Sequence, residues 1–156
     1  MSKSIERVRA AAASAGLSIE VRRMGESTRT AEEAAAQCGV GVAQIVKSLI
    51  FQGARSQKLF LFLVSGVNRL DQAKAAALAG EELARADPRL VRERTGFAIG
   101  GVAPLGHLEP VAAFADRTLC DFDIVWAAAG AHDAVFSCAP GALLAAAGAT
   151  VGDIAV

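Results

Sequence analysis

The stretch LFLFLV at residues 59–64 fixes more about this chain than any other segment. Successive side chains on a strand point to opposite faces, so an unbroken apolar run needs cover on both. Such a strand belongs in the middle of a sheet packed on either side. The segment AQIVKSLIFQ (43–52) has the same character, and only the polar GARSQ separates the two. Two central strands, 43–52 and 58–66, joined by a short connection, are therefore the expected centre of the fold.

The remaining segments surround that centre. Residues 4–15 carry Ile5, Val8 and Ala12 on one helical stripe. In LSIEVRRM (17–24), Leu17, Ile19 and Val21 alternate with polar neighbours, which predicts a half-exposed strand. Thr30 followed by Glu33 forms a capping-box pattern, and Gly39 stops the helix it opens. Helices are expected over 71–80 and from Asp87–Pro88 onward, the latter with aspartate as cap and proline in the first turn. VAAFAD (111–116) reads as a strand. FDIVWAAAG and AVFSCAP read as a hairpin about GAHD (130–133), and 140–149 as a closing helix. Strands and helices are mixed without regular βαβ alternation. That pattern predicts an α/β or α+β domain with a mixed, largely antiparallel sheet flanked by helices.

Composition narrows the function. Sixteen basic and sixteen acidic residues cancel. A long phosphate backbone is gripped by many cations, so balance argues against such a partner and leaves room for one held by its end. Mean hydropathy is +0.39, yet the longest apolar runs fall far short of the roughly 20 residues that cross a bilayer. The N-terminus is broken by Glu6, Arg7 and Arg9 and lacks the apolar centre of a signal peptide, so the expected location is the cytoplasm. Cys38, Cys120 and Cys138 are odd in number and scattered, and read as small buried thiols rather than as disulfide or zinc ligands.

Lys47 breaks the pattern. On the central strand it shares a face with Ile45, Leu49 and Phe51, while Val46, Ser48 and Ile50 face the other way. A buried ammonium needs a partner. Lys47 either pairs with a carboxylate, snorkels to the sheet edge, or lines a pocket and meets a ligand oxygen.

A second oddity is TGFAIGGVAPLGHLEP (95–110), with Gly96, Gly100, Gly101 and Gly106 beside Pro104 and Pro110. Glycine lets backbone approach a ligand with its amides free, and proline stiffens the turn. No GK[ST] follows and no GxGxxG spacing is present, so neither nucleotide-loop pattern applies. Tight connection and ligand cradle both remain open at this point. His132 and His107 each read as turn residues, and no Ser-His-Asp order is visible.

With Lys47 and GFAIGGVAPLGH both placed, the chain resembles the YbaK/prolyl-tRNA-synthetase-associated domain family. These are editing deacylases that hydrolyse wrongly charged aminoacyl-tRNA. The shared features run in order through AAAQCGVGVAQIVKSLIF, FLVSGVNRLDQAKAAALAG, TGFAIGGVAPLGH and DIVWAAAGAHDAVFSCAPGALLAAAGA. The resemblance implies a single domain over 1–156, with a mixed sheet flanked by helices and no metal or cofactor. It puts the family's strand lysine on Lys47, its G-x-x-x-P loop on Gly100 and Pro104, and a hairpin histidine on His132. Members that remove alanine from tRNA-Pro typically carry asparagine after the lysine. Here Ser48 stands there, which leans toward serine, threonine or another small side chain.

The activity that this resemblance implies is that of a trans-editing hydrolase acting on tRNA-Pro or a related tRNA carrying serine, threonine or alanine. Its catalytic candidates are Lys47, Gly100 and His132; Ser48, Ile99, Gly101, Val102, Pro104 and Leu105 are the candidates for holding substrate. An aminoacyl ester is already activated, so seating it, placing water and stabilising the oxyanion suffice. The ribose 2′-hydroxyl of the tRNA is expected to orient the water. The expected partner is the acceptor end of aminoacyl-tRNA, with a synthetase or elongation factor as a further one, and neither membrane nor DNA. The alternative is a non-catalytic module that binds a tRNA 3′ end or a small ligand.

Overall fold

The computed structural model describes residues 2–26, 28 and 30–156. In chain order the elements are α1 (Lys3–Ser14), β1 (Arg22–Arg23), α2 (Ala31–Cys38), β2 (Ile45–Gly53), β3 (Leu59–Ser65), α3 (Gln72–Ala79), β4 (Leu83–Arg85), α4 (Pro88–Thr95), β5 (Ala112–Asp116), β6 (Val125–Ala128), β7 (Ala134–Cys138), α5 (Pro140–Ala147) and β8 (Ala149–Gly152). Short 3₁₀ turns at Val42–Gln44 and Arg117–Asp121 lead into β2 and out of β5.

Among the described residues the strands form one eight-stranded sheet in the order β1-β7-β6-β2-β3-β5-β8, with β4 also paired to β2. The pairs β1–β7, β6–β7, β2–β3 and β2–β4 are antiparallel. The pairs β2–β6, β3–β5 and β5–β8 are parallel. The mixed sheet flanked by helices is thus present. Among the described residues no helix is long and apolar enough to cross a membrane.

Local chemistry sets most boundaries as expected. Thr30 Oγ1 accepts from the Glu33 amide while the Glu33 carboxylate accepts from the Thr30 amide, and Gly39 ends α2 in the left-handed region. Asp71 and Asp87 cap α3 and α4. Three segments depart from the sequence reading. Of the strand expected over 17–24, only Arg22–Arg23 pairs, with Val135 and Ala134. Leu17, Ile19 and Val21 do pack on the core; the alternation reports burial, and the backbone has no longer neighbour to pair with. β4 and β8 lie outside the sequence expectation. β4 is three residues long and mostly exposed, and β8 exposes Thr150 and Val151, so neither carries a strong apolar pattern.

The two faces of the sheet are packed differently. One face makes a single core with α1, α4, α5 and the loop after α4, including Val46, Leu61, Leu63, Val102, Ala103, Phe136 and Leu143. On the other face the core is split. Ile45 joins α2, Trp126 and Val135 in one cluster. Leu49 and Phe51 join Phe60, Phe62, Val64 and α3 in a second. Lys47 lies on β2 between the residues that serve these two clusters.

Candidate functional site

β2 has a complete neighbour on one edge and an incomplete one on the other. Against β3 it pairs continuously from Val46–Ser65 to Gln52–Leu59. On the opposite edge the ladder to β6 ends at Val46–Ala127, and that to β4 begins at Phe51–Arg85. Residues 47–50 have no strand partner there. Ile45 and Gly53 turn toward β3, because Gly66 N–H donates to the Ile45 carbonyl and Gly53 N–H to that of Lys58. Backbone groups alternate along an antiparallel strand, so Ser48 directs its N–H and C=O into the gap.

A cavity of about 420 Å³ opens at this gap, within the size range of small-ligand sites. Lys47, Ser48 and Leu49 form its floor, α2 contributes Ala31, Glu32 and Ala34, β6 contributes Trp126, and Ile99, Gly100 and Val102 close it from the loop. Lys47 Nζ donates to the backbone carbonyl of Asn68. No carboxylate pairs with it among the described residues, and an ammonium has two further N–H groups to offer. Burial pushes the Lys47 ammonium below its ordinary value, against the charges of Glu32 and Asp116, while Arg69 adds to the push.

The acceptor carbonyl is itself held. Asn68 Nδ2 donates to Asp116 Oδ2 at 2.8 Å and to Thr118 Oγ1 at 3.1 Å. The buried Asp116 carboxylate also accepts from the Ser65 amide at 3.1 Å and the Thr118 amide at 3.0 Å. Asp116 therefore orders the turn that receives Lys47 without bonding the lysine.

The loop between α4 and β5 explains its odd composition. Phe97, Val102, Ala103 and Leu105 are buried in the main core. Its base is pinned by Arg7, which donates to the carbonyls of Gly96 at 2.6 Å and Gly106 at 3.3 Å and lies over the Phe97 ring. Gly100 has φ +94° and lines the cavity, a conformation that side chains disfavour. At Gly101 a Cβ would stand 3.0 Å from the Ala131 backbone, so this residue lets the loop pack on the β6–β7 turn. The Gly101 amide donates to the Ala98 carbonyl at 3.0 Å, whereas the Gly100 amide makes no such bond among the described residues. The amide of Gly100 is therefore left free to donate, and that of Gly101 is not.

The structure gathers only part of the candidate set. Lys47, Ser48, Ile99, Gly100 and Val102 line the cavity. Pro104 and Leu105 are buried behind it and do not line it. Gly101 and His132 line a neighbouring hollow instead. The His132 side chain is exposed, and its carbonyl accepts from the amide and hydroxyl of Thr28, a cavity residue. His107 is packed edge-on to Phe97 with Nε2 at 2.8 Å from the Ala103 carbonyl; burial lowers its pKa to about 4.

The sequence reading misses Thr28, Glu32 and Trp126. For Glu32 a signal exists: the capping box uses Glu33, leaving the adjacent acid without a local task. Ser48 also shows more than its residue type suggests. Its hydroxyl is buried and has no partner among the described residues. It lines a second, smaller chamber of about 200 Å³ with Ile50, Phe51, Val91, Ile99 and Val102.

The aminoacyl-tRNA editing domain model matches residues 25–146. The chain belongs to that family, the YbaK-type editing domains, and is by class an aminoacyl-tRNA deacylase. It is 31% identical over 121 residues to the uncharacterized protein YwhH of Bacillus subtilis (strain 168), covering 78% of this chain and 76% of that one. Over 91 residues it is 35% identical to a proline–tRNA ligase of Desulfitobacterium hafniense, covering 57% of this chain and 16% of the ligase. A crystal structure of a suggested trans-editing enzyme for prolyl-tRNA synthetase superposes with TM-score 0.93 at 48% identity, covering 100% of this chain and 99% of the other.

Proposed function

We propose that this chain hydrolyses the ester linking a small, wrong amino acid to the 3′-terminal adenosine of a tRNA, with tRNA-Pro the first candidate. The observation that carries the reading is the unpaired stretch of β2. It places a lysine without an acidic partner, two backbone groups of Ser48 and the Gly100 amide around one cavity.

In this reading the ester lies across the gap. Water, oriented by the ribose 2′-hydroxyl, adds to the carbonyl carbon. The oxygen that becomes negative meets the Lys47 ammonium and the Gly100 N–H, donors already in place before reaction. Collapse of the tetrahedral intermediate expels the ribose oxygen, which takes up the proton released by the water. The small chamber beyond Ser48 receives the amino-acid side chain. Its volume of about 200 Å³ admits small groups and excludes larger ones, which is how a second site removes errors that a synthetase discriminates poorly. The unpartnered Ser48 hydroxyl favours an acyl group that brings its own hydroxyl, serine or threonine. Glu32, which lines the cavity and makes no hydrogen bond or ion pair among the described residues, accepts the substrate's α-ammonium.

A panel of tRNA-Pro charged with serine, threonine, alanine or proline tests this. Release of serine or threonine with prolyl-tRNA spared is the expected result. No release from any mischarged member contradicts the reading.

A further inference from the structure

Three hollows meet at one residue. Ile99 borders the main cavity, the side-chain chamber and a third hollow of about 250 Å³ on the far side of the loop. The third is lined by Ser2 and Ser4 of the α1 start, Arg92 of α4, Gly101, Gly130 and His132. Its chemistry differs from that of the other two. Arg92, like most cations of this chain, meets no carboxylate among the described residues, which leaves its guanidinium available. Ser2 and Ser4 stand with their hydroxyls 3.0 Å apart, bonded to each other. His132, an exposed residue, also lines it. Gly130 lets the α1 start pack close, since a Cβ there would stand 2.9 Å from the Ser4 backbone.

The Ser2 Oγ accepts from the Ile5 amide and shares one proton with Ser4, so the pair has one O–H to spare. An unpaired guanidinium beside an imidazole and that hydroxyl is a donor set for a tetrahedral oxyanion. Its position matters equally. An aminoacyl ester sits on the 2′ or 3′ oxygen of the terminal ribose, and the 5′ oxygen of that same sugar carries the phosphodiester to the preceding nucleotide. A site that takes the ester in the main cavity must let this phosphate leave within one sugar's span. The hollow behind Ile99 is where the chain offers it donors.

We infer that the hollow formed by Ser2, Ser4, Arg92 and His132 is a phosphate subsite, which binds the phosphodiester 5′ to the terminal adenosine of a single-stranded RNA end. The location rests on the deacylase reading; the test does not. One or two phosphates held this way also fit a chain without net charge, because affinity from counterion release grows with each phosphate neutralised.

The experiment is calorimetric binding of three probes without an acyl group to the full chain: adenosine, adenosine 5′-monophosphate and cytidylyl-(3′→5′)-adenosine. The dinucleotide is expected to bind about tenfold more tightly than adenosine, the order of one charge-assisted bonded pair. Arg92→Ala removes that advantage, Arg92→Lys restores part of it, and the log–log salt slope for the dinucleotide falls by about 0.7 when the arginine is lost. Arg92 is an exposed residue of α4, and a melting curve of each variant separates loss of contact from loss of fold. A dinucleotide no tighter than adenosine, or an advantage that survives Arg92→Ala, overturns the inference. So does adenosine 5′-monophosphate clearly outbinding the dinucleotide, which would mark a site for free nucleotides. Arg92-dependent binding without any amino-acid release would leave the subsite standing and remove the deacylase reading.

Discussion

β2 and β3 lie side by side, paired residue for residue from Val46–Ser65 to Gln52–Leu59, and they have opposite fates. β3 has β2 on one edge and β5 on the other, and every residue of Leu59–Ser65 is buried. β2 has a full partner on one edge only, and between Val46 and Phe51 its other edge faces a cavity. Residue type tracks pairing. The fully enclosed strand is apolar throughout until Ser65, whereas the interrupted one can hold a lysine and a serine at adjacent positions. The site is built from a defect in the sheet, placed next to its most completely buried strand.

The comparison can be broken from the β3 side first. Phe62, fully buried and in contact with the rings of Phe51 and Phe114, should cost about 3–5 kcal/mol when changed to alanine. Denaturant unfolding measures this; a loss below about 1 kcal/mol would mean that β3 is not the structural centre. A second effect tests the loop that closes the cavity. His107 has a folded-state pKa of about 4 against an ordinary 6.5, so protons favour the unfolded chain. Stability is whole above pH 6.5 and falls as pH drops toward 4, by roughly 3 kcal/mol in all. In His107→Gln that part of the pH dependence should disappear, and unchanged curves would show that the ring titrates normally.

Smaller effects sharpen the β2 side. Wild type should hydrolyse aminoacyl-tRNA with a free α-amine about tenfold faster than its N-acetylated form, the scale of one exposed ionic contact strengthened by partial burial. Glu32→Gln should erase most of that preference, and a retained preference would remove Glu32 from the site. Smallest is Ser48→Ala. Losing a buried hydroxyl without a partner should raise folding stability by up to about 1 kcal/mol, and selectivity for seryl over alanyl ester should fall a few-fold. A stability loss would show that the hydroxyl has a partner in solution.

Legibility from sequence divides along the same line. The caps at Thr30 and Asp87 and the stripe Ile5, Val8, Ala12 are local, and each forms as the sequence indicates. The two-sided burial of 59–64 is nearly local and also holds. Lys47 is visible as a misfit because one charge stands in an apolar strand. The gap that gives it a purpose is not visible, since it depends on where β6 and β4 leave β2, and β4 has too few apolar residues to announce itself. His132 shows the limit of motif transfer. It lies at the expected hairpin turn, yet it lines the hollow with Arg92 and not the main cavity, which it supports through the bond of its carbonyl to Thr28. Glu32 escapes notice because the neighbouring Glu33 already accounts for the acidic pair.

The most direct measurement is the single-turnover rate of ester hydrolysis for wild type and Lys47→Met on the substrate that the panel selects, with a melting curve for each. Methionine keeps the volume and removes the charge, and Lys47 has only the Asn68 carbonyl as a bonded partner among the described residues. The account predicts a rate at least about a hundredfold lower, the scale of losing one preorganised oxyanion donor, in a protein that melts as high as wild type or higher. An unchanged rate in a folded variant would contradict it.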